Sequence, residues 1–144
     1  MEIKKTSESI VSEFDNFEDW MDKYNYLIDL GKSLPLIDDK YKTESNLIPG
    51  CQSRVWLHAD FDGERIYFTA DSDAVITKGI ANLLIRVYSG HTPKEILDAS
   101  TEFINEIGLT EHLSPTRSNG LISMIKQIKM YALAFKAKQA IDEN

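Results

Sequence analysis

The 144-residue chain contains one cysteine, and its neighbours are unlike those of a core residue. Cys51 follows Pro49 and Gly50, which favour a sharp turn because proline fixes φ and glycine accepts backbone angles that other residues refuse. Gln52 and Ser53 come next, with polar side chains. A lone free cysteine is more often a small buried hydrophobe. Turn-formers and polar groups on both sides instead predict a thiol that is presented at a turn.

A thiol of this kind can act as a nucleophile, because the thiolate is the reacting form. Arg54 lies close to Cys51 in sequence and could favour the thiolate, or it could be a solvated charge on a strand. A cysteine hydrolase would need a histidine, and composition alone does not exclude His58, His91 or His112 as its partner in the fold. Sulfur exchange needs less apparatus, since the thiolate attacks sulfur directly without an oxyanion hole.

The sequence lacks the residues that nucleotide-binding, zinc and iron–sulfur sites require. The sequence has no glycine-rich phosphate loop, its histidines are not spaced as zinc ligands, and one cysteine is too few for an iron–sulfur cluster in a single chain. We therefore expect no metal and no organic cofactor. A net charge of −7 argues against nucleic acid and anionic membranes as partners. The single cysteine, the missing signal-peptide stretch and the lack of a membrane-length apolar run predict a cytoplasmic protein.

The elements that must position the cysteine can be predicted from hydrophobic spacing. Residues 54–61 and 64–70 alternate between apolar and polar side chains as strands do, and Asp62-Gly63 between them is typical of a hairpin. Antiparallel pairing of these strands would bring residues 71–73 close to the start of the first strand. Since Cys51 precedes that start, the hairpin is expected to place residues 71–73 beside it.

Apolar residues at steps of three and four predict helices on both sides of the hairpin. We expect the helix after the hairpin to be capped by Ser72 or Asp73. Residues 109–118 contain turn-formers and are predicted to be a loop, in which Ser114-Pro115 opens a turn into the last helix. The segregation of strands and helices along the chain predicts an α+β fold, a small antiparallel β-sheet flanked by helices.

Three stretches resemble the SufE family of sulfur-acceptor proteins, in the family's order and with similar separations. They are Ile48-Pro-Gly-Cys-Gln-Ser-Arg-Val-Trp56, Asp71-Ser-Asp-Ala-Val-Ile-Thr-Lys-Gly79 and Leu109 through Leu121. The first stretch is the most specific, and the ordered set is hard to obtain by chance. The resemblance runs from about Trp20 to about Lys136.

The resemblance implies a single SufE-like sulfur-acceptor domain over residues 1–144, with a fold related to that of the cluster scaffold IscU. Cys51 would accept persulfide sulfur from a SufS-like cysteine desulfurase and pass it towards iron–sulfur cluster assembly, for example on a SufBCD-type scaffold. The desulfurase holds the pyridoxal phosphate, so the acceptor carries no cofactor. Arg117 and residues 71–73 match stretches associated with the desulfurase contact or the acceptor loop. The candidate supporting residues are Gln52, Ser53, Arg54, Asp71, Ser72, Asp73 and Arg117.

Alternatives to this function remain open at the level of sequence. The chain could be a docking module that stimulates a desulfurase without carrying sulfur, or a SufE-like paralogue that feeds another sulfur pathway. We expect a monomer or a weak homodimer. We also expect Cys51 to rest in partial shelter and to become exposed when a partner binds, with Pro49-Gly50 as the hinge, because an exposed persulfide would be lost to stray thiols and oxidants.

Overall fold

The computed structural model describes residues 2–142. Within them, two single 3-10 turns, at Asp39–Tyr41 and Glu44–Asn46, join the second helix to the first strand. The strands are β1 (Val55–Phe61) and β2 (Ile66–Ser72). The helices are α1 (Ile3–Asp15), α2 (Trp20–Lys32), α3 (Val75–Tyr88), α4 (Pro93–Asp98), α5 (Glu102–Glu106), α6 (Leu109–His112) and α7 (Pro115–Asp142). None of these helices is both long and apolar enough to cross a membrane.

The predicted hairpin is confirmed. β1 and β2 form a two-stranded antiparallel sheet in which Val55 lies opposite Ser72 and Phe61 lies opposite Ile66. β2 runs to Ser72, two residues further than the alternation predicted. The register places the end of β2 beside the start of β1, as expected, and helices flank the sheet. The architecture is therefore the predicted α+β class.

The sheet and the helices share one apolar core, in which α3 is the most thoroughly buried helix. α2 and α3 approach each other backbone to backbone: a Cβ placed on Gly79 would lie 2.0 Å from the carbonyl oxygen of Leu27. A Cβ on Gly31 would lie 2.9 Å from Lys78 Cβ. A glycine inside a helix costs about 1 kcal/mol relative to alanine, and this close approach of the two helices is what offsets the cost.

The predicted cap of α3 is wrong. Ser72 belongs to β2, where its side chain is buried, and Asp73 precedes the true N-cap residue, Ala74. The Ser72 hydroxyl oxygen accepts a hydrogen bond from the Ala74 N–H at 3.3 Å. Because β2 continues for two residues more than expected, the polar groups of this segment serve the turn between strand and helix rather than the helix end.

The predicted loop over residues 109–118 is also wrong, since it contains α6 and the first turn of α7. Gly108 enters α6 with a positive φ of 79°. Ser114 caps α7, because its hydroxyl oxygen accepts the Arg117 N–H at 3.3 Å, and Pro115 occupies the first helical position. This arrangement fixes the position of Arg117 in the first turn of the longest helix of the fold.

Candidate functional site

The turn that carries the thiol lies against α7 near two glycines, Gly50 and Gly120. Gly50 has a φ of +83°, in the left-handed region that favours glycine, and a Cβ there would lie 2.8 Å from Ser123 Oγ. A Cβ on Gly120 would lie 3.5 Å from Cys51 Sγ. The thiol itself donates to the Gly120 carbonyl oxygen across 3.7 Å. The turn therefore lies directly against the second and third turns of α7, and at Gly50 a side chain would not fit.

Cys51 is half-buried, which agrees with the partial shelter expected from the sequence. Its side chain borders a cavity of about 100 Å³ between the turn, α3 and α7. That volume is about three times the share of one water molecule in the liquid, so it leaves room for one further sulfur atom. The other residues that line the cavity are Gln52, Ser53, Thr77, Ile80, Thr116, Arg117, Gly120 and Met124.

The two candidate arginines differ in position. Arg117 lines the cavity, and no carboxylate within residues 2–142 forms an ion pair with its guanidinium. Both side chains are exposed, but Arg54 lies outside the cavity lining, and its backbone N–H donates to Asp73 Oδ1 at 3.1 Å. Of the two interpretations of Arg54, the solvated strand charge fits the structure. Of the two arginines, Arg117 is the one that lines the cavity beside Cys51.

Burial raises the pKa of the Cys51 thiol above its ordinary value. Burial is the cause of this shift, because partial removal from water disfavours the charged form, and neither Arg54 nor Arg117 contributes to it at rest. The resting thiol is protonated at neutral pH. Such a thiol reacts slowly with oxidants and stray electrophiles, since these react with the thiolate.

Residues 71–73 do not act as a unit. Asp71 forms ion pairs with Lys42 at 2.6 Å and Lys78 at 3.4 Å. Burial raises the pKa of Asp71, but hydrogen bonds from Lys42 and the Ser72 N–H, with the charges of Lys42 and Lys78, outweigh burial and leave it below the ordinary value. Asp71 and Ser72 thus stabilise the end of β2. Only Asp73, which accepts from the Arg54 N–H, acts on the segment that leads out of the cysteine turn.

The histidines are engaged elsewhere. His58 stacks on Tyr41 with 3.7 Å between ring centroids, His91 Nδ1 lies 3.1 Å from a Glu95 carboxylate oxygen, and His112 stacks on an indole ring. None of the three lines the cavity beside the thiol. The site therefore has no histidine placed as a general base for a hydrolase.

Three residues that lie against the cysteine turn or line the cavity were not identified as site residues from the sequence. These are Gly120 and Ser123, which contact the cysteine turn, and Thr77, which lines the cavity. A signal for Gly120 was present, because a glycine inside a helical pattern often marks a close approach of another backbone.

We expect the raised pKa to be visible in the pH dependence of alkylation. The rate of reaction of Cys51 with iodoacetamide should be low at neutral pH and should rise through a pKa above that of the unfolded chain, because only the thiolate reacts. The same protein unfolded in urea is the control and should follow an ordinary thiol profile, near pH 8.5. A folded-state profile at or below that of the unfolded chain would contradict this electrostatic description.

Comparison with known proteins agrees with the fold and the motifs. The family model for SufE, described as an Fe-S metabolism associated domain, matches residues 8–132. A SufE-like protein of Rhizobium etli is 43% identical over 128 residues, which cover 85% of this chain and 86% of that protein. A SufE-like protein of Synechocystis is 34% identical over 134 residues, which cover 93% of this chain and 84% of that protein.

Two further similarities bear on length and fold. SufE-like protein 1 of Arabidopsis thaliana, named as chloroplastic/mitochondrial, is 39% identical over 144 residues, but this chain spans only 39% of its length. The solution structure of a hypothetical protein from Thermus thermophilus superposes with a TM-score of 0.76 at 19% identity. The superposition covers 92% of this chain and 96% of that one, so the fold is shared almost throughout. The family match, which covers most of the chain, shows that the protein belongs to the SufE family, a family associated with iron–sulfur metabolism.

Proposed function

We propose that this protein is a sulfur carrier in which Cys51 accepts one sulfur atom from the persulfide of a cysteine desulfurase. One observation carries the proposal: the solitary, half-buried thiol borders a small cavity together with Arg117, a cation that no carboxylate within residues 2–142 neutralises. The site has a nucleophile and a place for one more sulfur. Among residues 2–142 it has no histidine base beside the thiol, and exchange at sulfur does not require one.

The transfer step conserves atoms and electrons. The Cys51 thiolate attacks the terminal sulfur of the donor persulfide, and a new S–S bond forms at Cys51 Sγ. The S–S bond of the donor breaks, and its electron pair leaves with the donor cysteine as a thiolate. The donor cysteine is reduced from persulfide to thiolate while Cys51 is oxidised from thiolate to persulfide, so the transfer needs no external oxidant or reductant. The receiving cysteine therefore needs only ionisation and access.

Access and ionisation both depend on the partner in this mechanism. At rest, burial keeps the thiol protonated and the Gly120 carbonyl holds it towards α7. Docking of the donor would turn the segment about Pro49-Gly50, bring the thiol into a more polar environment and lower its pKa towards the ordinary value. The guanidinium of Arg117 would then stabilise the anionic sulfur species through charge.

Family membership and the geometry together support a carrier that receives sulfur from one protein and delivers it to another. The upstream partner would be a SufS-like desulfurase, which supplies the pyridoxal phosphate chemistry, and the downstream partner a SufBCD-type scaffold for iron–sulfur clusters. The chain itself would act without a cofactor or a metal, as a monomer or weak homodimer in the cytoplasm. The family match, described as an Fe-S metabolism associated domain, supports the link to iron–sulfur metabolism within this proposal.

The positions of the two arginines provide the test. Transfer of radioactive sulfur from cysteine, through a purified desulfurase, to the chain should be about tenfold slower in Arg117→Ala than in the wild type, because a charge that stabilises the anion at the reacting centre is lost. Arg54→Ala is the matched control and should transfer at nearly the wild-type rate, since Arg54 lies outside the cavity lining.

Each outcome decides a different statement. A wild-type chain that gains no reducible sulfur label would overturn the carrier function. If the wild type is labelled normally but Arg117→Ala and Arg54→Ala transfer sulfur at the same rate, the carrier function stands. Arg117 then has no role in the transfer step.

A further inference from the structure

The longest helix presents apolar side chains on two faces. One face packs into the core. On the other, α7 contributes four of the eight large hydrophobic side chains that are exposed within residues 2–142. Lys126 and Ala137 fill the gaps between these four side chains at steps of three and four residues. Together the six residues form one surface on the helix, here called the outer stripe. The outer stripe consists of Ile122, Lys126, Met130, Leu133, Ala137 and Ile141.

The outer stripe is long and accessible. Its four large hydrophobic side chains are each more than half exposed, from 53% at Met130 to 72% at Ile141. At 1.5 Å per residue, the distance from Ile122 to Ile141 along the helix is about 29 Å. Single exposed apolar residues are normal, whereas an aligned set of this length on one helix is typical of an interaction surface.

The charge of α7 is opposite to that of the rest of the protein. Residues 115–141 contain five basic residues and no aspartate or glutamate, in a chain with 23 acidic residues. This segment contributes +5 to a net charge of −7, which leaves −12 for the remainder. Lys129 is used internally, because its ammonium donates to carbonyl oxygens at the end of α4. Lys126 lies within the outer stripe, and Lys136 and Lys138 lie on its two sides.

The outer stripe begins in the part of α7 that contacts the cysteine turn. Ile122 lies between Gly120, which contacts Cys51 Sγ, and Ser123, which lies against Gly50. Ile122 itself does not line the cavity, so the thiol and the outer stripe lie on different sides of the same part of α7. A donor that reaches Cys51 and extends over this part of the helix would contact both. From there, the outer stripe runs along the helix, with Lys126 between Ile122 and the apolar residues that follow.

The charges of α7 and of the remainder distinguish between three candidate partners for the outer stripe: a second copy of the chain, an anionic membrane and another protein. A second copy pairing α7 with α7 would bring two segments 115–141 of charge +5 together, and neither segment contains an acidic residue. An anionic membrane would attract α7 but repel the remainder at −12, and the buried inner face ties α7 to that remainder. A protein surface that is apolar at its centre and acidic at its rim complements both the side chains and the charge.

We propose that the outer stripe of α7 is the docking surface for the sulfur donor, which would engage it with an acidic, amphipathic surface. This inference rests on the proposed sulfur-carrier function. It adds a second region of contact that lies outside the cavity and holds the donor while the reacting cysteines meet.

Two methionines provide a matched pair of variants for the test. Met130 on α7 and Met21 on α2 are 53% and 67% exposed, so methionine to glutamate makes the same chemical change at two accessible helical sites. The affinity for a purified cysteine desulfurase would be measured in a Cys51→Ser background, which prevents covalent transfer. Met130→Glu should weaken binding about tenfold, as expected for a central apolar contact, and Met21→Glu should bind like its parent. Added salt should weaken binding of the parent through loss of charge complementarity.

A separate readout distinguishes this proposal from the function on which it rests. With Cys51 present, Met130→Glu should lose sulfur uptake from the desulfurase at low donor concentration and recover it at saturation, while uptake from a small-molecule persulfide stays unchanged. Wild-type protein that takes no sulfur from the desulfurase would overturn the carrier function.

Three results would overturn the docking proposal alone. The first is equal affinity of the Met130 and Met21 variants. The second is binding of the wild type to phosphatidylglycerol vesicles that Met130→Glu abolishes without a change in desulfurase affinity. The third is a wild-type dimer that Met130→Glu dissociates, which would make a second copy the occupant.

Discussion

Replacement of Cys51 by serine should abolish the stimulation of a cysteine desulfurase by this protein. A serine hydroxyl cannot take over sulfur from a persulfide, so the donor would retain its sulfur and turn over only at its own rate. Stability should change by less than about 1 kcal/mol, because the side chain is half-buried and serine has a similar size. The measurement is the rate of alanine release from cysteine by the desulfurase, with circular dichroism of the variant as the control for folding.

The same experiment separates the carrier from a docking module. A module that stimulates the desulfurase only by binding would act equally well with serine at position 51. Full stimulation by Cys51→Ser would therefore contradict the carrier function, whereas loss of stimulation with retained binding would support it.

Among glycine-to-alanine changes at the seven glycines, Gly79→Ala should produce the largest loss of stability. The new Cβ would lie 2.0 Å from the carbonyl oxygen of Leu27 and 2.6 Å from its carbonyl carbon. These are backbone atoms inside α2, so the contact can be relieved only if α2 and α3 move apart. Overpacking of a core costs about 1 to 3 kcal/mol, and a contact with backbone lies at the upper end of that range. Urea unfolding followed by circular dichroism measures the loss.

Gly120→Ala is the matched control for this prediction, since it is the same change inside another helix. Its Cβ would make an ordinary contact at 3.5 Å with Cys51 Sγ. Alanine gains about 1 kcal/mol over glycine in a helix interior, so this variant should be as stable as the wild type or more so. Equal stabilities for Gly79→Ala and Gly120→Ala would show that α2 and α3 are not packed as described.

The local features of the site could be predicted from the sequence. Pro49 and Gly50 indicated the turn, and Gly50 does take a positive φ there. Asp62-Gly63 and the alternation around it predicted the hairpin, whose register brings Asp73 to the segment after Cys51. Each of these inferences used residues that are close in sequence or joined by one turn.

The cavity could not be predicted, because it depends on α7 packing over the cysteine turn. Cys51 and Gly120 are 69 positions apart in sequence, and no local pattern states that they meet. For the same reason proximity in sequence favoured Arg54 as the supporting cation, while the structure places Arg117 at the cavity. The error over residues 109–118 has a local cause. Gly108 and Ser114-Pro115 are typical of loops, but glycine before a helix and proline at its first position also mark helix starts.

The intact mass of the protein after incubation with a cysteine desulfurase, cysteine and pyridoxal phosphate tests the central claim most directly. If Cys51 accepts persulfide sulfur, the mass should rise by one sulfur atom, about 32 Da, and return to its starting value on reduction. The gain should be absent from Cys51→Ser. An unchanged wild-type mass under conditions in which the desulfurase turns over, or an equal reducible gain in the serine variant, would contradict the assignment of Cys51 as the sulfur acceptor.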